Sequence, residues 1–212
     1  WHDGVPLRCT KNATAGEEWR KGWHPERFEQ PGSDDSILIV GGGPAGLEAA
    51  RVAAKRGHRV TLFEASSDIG GQLAIWSQAP MTREFQKTLN WYKTQLTQLQ
   101  VHIRTGHHLK PEDVAVLDTD VIILATGAIP KKPLLIATGS ETIPVIDPWQ
   151  AIADDPKGQH ILINDEGGGR AALSAADSLL NQNQITLVTA EYAIGELVTP
   201  TVRAPIYKRF LM

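Results

Sequence analysis

The apolar positions of this chain fall into short continuous runs separated by stretches with helical spacing. Runs without polar residues are typical of strands buried on both faces, and apolar residues that recur every three or four positions indicate helices. Strands and helices that alternate along a chain predict an α/β fold with parallel sheets. We predict strands at 37–40, 59–63, 101–104, 120–125, 160–163 and 184–188, helices at 47–55, 82–100, 149–153 and 170–180, and a first helical turn at 111–113.

A glycine-rich turn follows the first predicted strand and opens the first predicted helix. Gly41, Gly43 and Gly46 have the spacing G-x-G-x-x-G, and an acid, Glu64, follows the second strand. Strand, turn, helix, strand and acid in this order form the Rossmann fingerprint. The sequence therefore predicts a dinucleotide site, and a purely structural glycine turn is the alternative.

Each part of this turn has a predicted role at a bound dinucleotide. Gly41 permits a tight turn, Gly43 leaves room for the pyrophosphate, and Gly46 lets the helix lie against the strand. The helix start at Pro44-Ala45 directs its positive dipole end at the phosphates. Glu64 accepts hydrogen bonds from both ribose hydroxyls and would repel a 2′-phosphate. The expected ligand is therefore FAD, NAD or ADP rather than NADP.

The composition divides the chain into four segments. Segment 1–32 is rich in Trp and charged residues and is expected to lie as a linker against another surface, with Trp1, Trp19, Trp23 and Phe28 as its large apolar groups. Segment 33–133 is the predicted nucleotide-binding domain, 134–156 is a crossover, and 157–212 is a second βαβ unit. That unit is shorter than a usual nucleotide domain, and no Met precedes Trp1, so we expect a fragment that is cut at both ends.

The turn of the second βαβ unit leaves its function open. Gly167-Gly168-Gly169 supplies the glycines, but Asp165 and Glu166 precede them and would repel a phosphate unless they point away. Glu191 follows the next strand and could be a ribose acid, although it comes late. Nucleotide binding and a structural remnant of such a domain are the two interpretations.

The charge pattern and the remaining polar residues exclude several functions. The net charge of −3 and the absence of a basic stripe argue against a nucleic-acid partner, and no apolar run is long enough to cross a membrane. One cysteine without a secretion signal favours the cytoplasm. His107-His108 is interpreted as a solvated turn and His24 as a packed corner, while Ser174 and Ser178 have no base at a recognisable spacing. No catalytic residue is predicted.

Three further motifs carry a family resemblance. They are Gly70-Gly71-Gln72 after the acid, Ala125-Thr126-Gly127 at a strand end, and the N-terminal segment from Cys9 to Trp19 with Gly22 to Glu26. Together with the fingerprint they resemble the NADH:flavin oxidoreductase family that includes 2,4-dienoyl-CoA reductase and trimethylamine dehydrogenase. The resemblance covers nearly the whole chain and corresponds to the C-terminal, glutathione-reductase-like region of those proteins.

The resemblance implies a flavin-dependent oxidoreductase, with amine dehydrogenase or N-demethylase as candidate activities of the full-length protein. It implies FAD or ADP near the three motifs, FMN and a small-molecule substrate in an absent barrel, and a homo-oligomer. Cys9 matches one of four ligands of a [4Fe-4S] cluster whose other three ligands are absent here. NAD(H) binding in the second unit stays open. The alternative is a structural ADP-binding module without a redox role, and the fragment alone is expected to be inactive.

Overall fold

The computed structural model describes residues 9, 11–12, 15–16, 28–30, 32–114, 117–131 and 143–211. The interpretations of Trp1, Trp19, Trp23 and His24, and most of the N-terminal motif, therefore lie outside the described residues. The chain packs into two compact units. The first contains Trp1–Ile69 and Asn90–Thr126, and the second contains Gly70–Leu89 and Gly127–Met212.

The first unit contains a four-stranded parallel sheet of Rossmann type. The elements are β1 Ser36–Val40, α1 Pro44–Lys55, β2 Arg59–Phe63, β3 His102–Arg104, α4 Pro111–Val114 and β4 Val121–Leu124. The strand order is β3-β2-β1-β4, which places the first strand of the fingerprint between β2 and β4. Helix α3, Phe85–Gln98, runs from the second unit into the first.

The core of the first unit forms where the apolar strand β1 meets helix α1. Ile39 and Leu62 of the sheet and Leu47 of α1 have no exposed surface. Apolar burial at these positions is the main contribution to stability, about 25 cal/mol for each Å² removed from water. The same packing fixes where β1 ends and α1 begins, and therefore where the glycine turn lies.

The second unit contains the parallel pair β5, His160–Asp165, and β6, Gln184–Thr189. Helix α6, Arg170–Leu179, is buried against them through Ala172, Ala175 and Ala176. The unit also contains α2 Gly71–Trp76, a 3₁₀ turn at Pro80–Thr82, α5 Pro148–Asp154 and α7 Pro200–Phe210.

The predicted α/β class with two parallel Rossmann-like sheets is confirmed, and the predicted strands and helices are present with small shifts at their ends. Helices α2 and α7 lie where no helix is predicted. The bounds proposed for the domains stay a prediction, and the packing differs from them by placing Gly70–Leu89 with the second unit rather than with 33–133. Across the described part of the chain, no helix is both long and apolar enough to cross a membrane.

Candidate nucleotide-binding site

The turn between β1 and α1 is packed so closely that two of its glycines have no room for a side chain. Gly41 has a φ of +111°, and a Cβ there would overlap the carbonyl oxygen of Ala125. A Cβ on Gly46 would overlap the carbonyl oxygen of Gly41 and lie 3.3 Å from the Cβ of Ala125. The start of α1 therefore lies directly against both the turn and the end of β4.

The middle glycine of the motif is different because it borders open space. A Cβ on Gly43 would meet no atom within 4 Å. Gly43 is also the N-cap of α1, with Pro44 as the first helical residue and no side-chain cap. The N–H groups at the start of a helix have no partner within the helix, and the dipole adds positive potential there. Open space beside such donors is the arrangement that an anion needs.

Glu64 lies beside this turn with its carboxylate held by backbone N–H groups. Its side chain is buried, with 8% of the residue surface exposed. Oε2 accepts from the Gly42 N–H at 2.6 Å, and Oε1 accepts from the Ser66 N–H at 2.7 Å. Each carboxylate oxygen can accept a second hydrogen bond, so both oxygens keep capacity for ribose hydroxyls.

The segment after β2 is held by the segment after β3. The Glu64 N–H donates to the Arg104 carbonyl at 2.9 Å, and the His107 N–H donates to the Glu64 carbonyl at 2.9 Å. The ring of Phe63 meets the imidazole of His107 edge to face at 6.0 Å. Among the described residues no group of three or more His, Cys, Asp or Glu side chains could hold a metal ion.

The loop that leads from Glu64 toward Gly70 carries one perturbed carboxyl group. Lys93 donates to Asp68 at 2.6 Å, and this hydrogen bond lowers the pKa of Asp68 below its ordinary value. The Ile69 N–H also donates to Asp68, at 2.8 Å. The loop is thereby tied to helix α3.

The motif Gly70-Gly71-Gln72 begins helix α2 in the second unit. Gly70 has a φ of +128°, and a Cβ there would lie 2.9 Å from the Cβ of Ala74. Gln72 Nε2 donates to the Ala128 carbonyl at 2.6 Å, next to Gly127. Gly127 borders open space, as does Gly43 in the first unit. Their predicted place near the same ligand, shared with Thr126, stays a prediction.

The second glycine turn repeats part of the geometry of the first. Gly169 is the extended N-cap of α6, as Gly43 is of α1, and a Cβ on it would also meet nothing within 4 Å. Asp165 is buried, and its Oδ2 accepts from the buried Gly195 N–H at 2.8 Å. A Cβ on Gly168 would lie 3.5 Å from Cγ of Glu191, so this acid stands beside its turn as Glu64 does beside Gly42.

Contacts are also described for three further residues, Cys9, Glu48 and Phe28. Cys9 is exposed, and its Sγ accepts from the Lys11 N–H at 3.4 Å. Glu48 pairs with Arg51 on α1 at 2.7 Å. Phe28 lies 5.8 Å from the Arg51 guanidinium and 5.6 Å from the Lys55 ammonium. The [4Fe-4S] assignment of Cys9 stays a prediction, since such a cluster needs four ligands.

Gly42 is a site residue that the sequence analysis does not single out. It occupies a variable position of the motif, and its importance comes from its N–H rather than its side chain. The pattern of G-x-G-x-x-G contains no signal for it. The one sequence signal for Gly42 is the acid after β2, Glu64, whose carboxylate the Gly42 N–H meets in the fold.

Residues 4–165, more than half of the chain, match the family model described as pyridine nucleotide-disulphide oxidoreductase. The chain belongs to this family of oxidoreductases. It contains a single cysteine, Cys9, so it cannot itself supply a pair of redox-active cysteines.

The relatives confirm the resemblance to the amine dehydrogenase group. The chain is 34% identical to N,N-dimethylglycine/sarcosine dehydrogenase of Chromohalobacter salexigens, covering 98% of this chain and 31% of the relative. It is 40% identical to dimethylamine dehydrogenase of Hyphomicrobium sp., covering 59% of this chain and 18% of that protein. The solved structure of 6-hydroxypseudooxynicotine amine oxidase from Pseudomonas geniculata N1 has a TM-score of 0.82 at 31% identity, covering 97% of this chain and 32% of that one. The chain thus spans less than a third of the length of these relatives.

Proposed function

We propose that this chain is the nucleotide-binding portion of a flavin-dependent oxidoreductase and that its first unit holds the ADP part of FAD, or ADP itself. The single observation that carries the proposal is the open space at Gly43, bordered by the N-terminus of α1. Neighbouring backbone atoms fill the space beside Gly41 and Gly46, so among the three glycines of the motif only Gly43 leaves room for a ligand. A pyrophosphate fits that side because it would meet N–H groups and a positive dipole.

The position of Glu64 supports the proposal that the adenosine end of the ligand binds here. The carboxylate of Glu64 is fixed beside the turn and keeps lone pairs for two ribose hydroxyls. A 2′-phosphate on the ribose would place like charge against this carboxylate. We therefore propose a preference for ADP or FAD over ligands that carry a 2′-phosphate.

When a flavin is bound, it supplies the hydride or electron transfer, and the residues of this chain bind and orient it. The relatives support an amine dehydrogenase or N-demethylase as the activity of the full-length protein. The resemblance further implies FMN and an iron–sulfur cluster, for which Cys9 would supply one thiolate. The competing proposal is that the first unit binds ADP only and has no redox role.

One experiment distinguishes FAD from ADP. The full-length protein would be denatured, and the released nucleotides separated by chromatography and identified by absorbance and mass. Release of FAD in one-to-one ratio with the chain, beyond any FMN, supports the flavin proposal. Release of ADP without FAD supports the structural ADP module. Release of neither adenine nucleotide contradicts both.

A second nucleotide site in the second unit is a further candidate, favoured by the match between Gly169 and Gly43. Both glycines are extended N-caps that border open space, and Glu191 stands beside Gly168. With an acid in the ribose position, NAD(H) is the ligand expected there. Exposed carboxylates at Glu166 and Glu196 oppose a phosphate at this turn.

The second candidate is tested by titration of the chain with NADH and by the variant Gly169→Ala. A methyl group at Gly169 would fill open space without disturbing packing. Because the ADP part of NADH also fits the first unit, we expect NADH to bind at two sites, one weakened by Gly169→Ala and the other by Gly43→Ala. NADH binding to Gly169→Ala that equals binding to the unaltered chain would contradict the second site, while the titration of Gly43→Ala with ADP tests the first site separately.

A further inference from the structure

The linker that precedes β1 contacts the first unit through the ring of Phe28. The centroid of this ring lies 5.8 Å from Cζ of Arg51 and 5.6 Å from Nζ of Lys55, two cations on α1. Cζ of Arg51 also lies 5.4 Å from the ring centroid of Trp91 on α3. A cation within about 6 Å of an aromatic ring is attracted by the negative face of that ring. Arg51 therefore joins the linker to both helices.

The guanidinium of Arg51 is fixed in place by a carboxylate on the same helix. Its Nε and Nη2 donate to Oε2 and Oε1 of Glu48 at 2.8 Å and 2.7 Å. The Tyr92 hydroxyl donates to Oε2 of the same carboxylate at 3.2 Å. The surface of Arg51 is 2% exposed. A desolvated cation attracts an aromatic ring more strongly than an exposed one, so Arg51 is well suited to hold Phe28.

The other end of the linker is held where β2 begins. The Arg59 N–H donates to the Asp35 carbonyl at 3.1 Å, and Nε of Arg59 lies 3.6 Å from Oδ1 of Asp34. The side chains of this ion pair are largely exposed, so the pair contributes little to docking. Between the two ends, a Cβ on Gly57 would lie 2.9 Å from Oε1 of Gln30. The linker therefore passes close to the turn between α1 and β2.

We propose that Arg51, Lys55 and Trp91 form the docking surface of the N-terminal linker and that Phe28 anchors the linker on it. Segment 28–35 is then a fixed part of the first unit rather than a separate tether. Arg51 lies about 12 Å along α1 from Gly43, at 1.5 Å per residue, so the anchor is separate from the glycine turn. The inference does not depend on the proposed nucleotide site.

The aromatic ring of Phe28, rather than its apolar bulk alone, is what this surface recognises. Ordering the linker costs conformational entropy, and the exposed ion pair of Asp34 offsets little of that cost. Phe28 therefore supplies the main contact. Its ring meets two cations, whereas an aliphatic side chain of similar size would offer them no negative face.

The test is the rate at which a glutamate-specific protease cleaves the folded chain of 212 residues after Glu29, followed by mass spectrometry. Glu29 is exposed and directly follows the anchor, so its cleavage reports how often the linker is released. We expect Phe28→Leu to be cleaved at least fivefold faster than the unaltered chain and Phe28→Trp to be cleaved at the unaltered rate. Tyr192→Leu, which changes an almost fully exposed ring in the second unit, is the control. Equal rates for Phe28→Leu and the unaltered chain would overturn the anchor.

A double-mutant cycle assigns the effect to Arg51. Arg51→Met removes the cation and keeps an apolar stem, so Phe28→Leu should accelerate cleavage at least threefold less in this background than in the unaltered one. The same acceleration in both backgrounds would overturn the proposed surface.

If Arg51→Met does not fold, nuclear magnetic resonance of the unaltered chain decides. The chain has four Phe residues, so ¹³C labelling of Phe gives few ring signals, and Phe28→Leu identifies the signal of Phe28. We expect nuclear Overhauser effects from the Phe28 ring to the Arg51 side chain. Their absence would overturn the proposal.

Discussion

Gly46 and Gly41 approach each other so closely that a single methyl group on Gly46 would overlap the Gly41 carbonyl oxygen. This contact joins the start of α1 to the end of β1 within one turn of the chain. The third glycine, Gly43, lies between them and borders open space. The three glycines of one motif therefore serve two purposes, since two permit packing and one leaves room.

The packing difference predicts that two similar variants lose very different amounts of stability. Gly46→Ala should lower the free energy of unfolding by about 1–3 kcal/mol or more, because the new methyl has no space and backbone must move. Gly43→Ala should change it by less than about 0.5 kcal/mol, since the methyl meets no neighbour. Urea unfolding of both variants measures the difference. Equal stability of the two variants would refute the packing argument.

Loss of the Glu64 side chain should weaken adenine-nucleotide binding. Glu64→Ala is expected to lower the affinity for ADP at least about tenfold, because hydrogen bonds to a charged group contribute about 1.5–3 kcal/mol. The same variant should also reduce the difference in affinity between ADP and 2′,5′-ADP, because the carboxylate that repels the 2′-phosphate is gone. Calorimetric titration gives both values, with Glu112→Ala as an exposed acidic control. Equal ADP affinity in Glu64→Ala and the unaltered chain would rule out the ribose role.

The ion pair of Asp68 with Lys93 predicts a small acid-sensitive contribution to stability. The hydrogen bond from Lys93 lowers the pKa of Asp68 from 3.8. A carboxyl group whose pKa is lower in the folded state stabilises the fold above its unfolded pKa. That stabilisation is lost as the pH falls through the lowered folded value. Because the side chains of Lys93 and Asp68 are 42% and 67% exposed, the contribution should stay within about 0.2–1 kcal/mol.

The loss of stability on protonation of Asp68 is measured by urea unfolding at a series of pH values between pH 2 and pH 7. Lys93→Met should remove the part of the pH dependence that comes from Asp68. Lys87→Met is a matched control, because Lys87 lies on the same helix as Lys93 and forms an exposed pair at 3.3 Å with Glu84, which directly precedes that helix. A pH dependence that is the same in the unaltered chain and Lys93→Met would contradict the assignment.

A partly buried ion pair in the second unit predicts a larger effect. Asp177 of α6 has no exposed side-chain surface and pairs with Arg209 of α7, whose side chain is 39% exposed. Arg209→Met leaves this carboxylate buried without its partner and should lower the free energy of unfolding by about 1.5–3 kcal/mol, less than for a pair buried on both sides. The double variant with Asp177→Leu should cost less than Arg209→Met alone. If the double variant unfolds more easily, the pair is not the source of the effect.

Much of the first unit could be predicted because its signals are local. The apolar run of β1, the glycine spacing and the acid after β2 all lie within one βαβ unit, and β2 begins and ends at the predicted residues. The close packing of Gly46 follows from the motif itself. Such patterns depend on the periodicity of strands and helices rather than on distant contacts.

The parts that the sequence analysis missed depend on tertiary contacts. Helix α7 contains Pro205, which normally interrupts a helix. It is held from outside, since the hydroxyl of Tyr207 donates to the Ile194 carbonyl and Arg209 pairs with Asp177. Helix α2 begins at two glycines, which have low helix propensity. The contact of Gly42 with Glu64 joins residues that are distant in sequence, and no local pattern marks it.

The central claim is that the turn around Gly43 holds the pyrophosphate of an adenine nucleotide. Calorimetric titration of ADP into the unaltered chain and into Gly43→Ala tests it most directly, because the variant fills the proposed phosphate space and preserves the packing. We predict saturable binding to the unaltered chain and at least tenfold weaker binding to a Gly43→Ala protein with unchanged unfolding behaviour. Absence of binding to the unaltered chain, or equal affinity in the two proteins, would contradict the account.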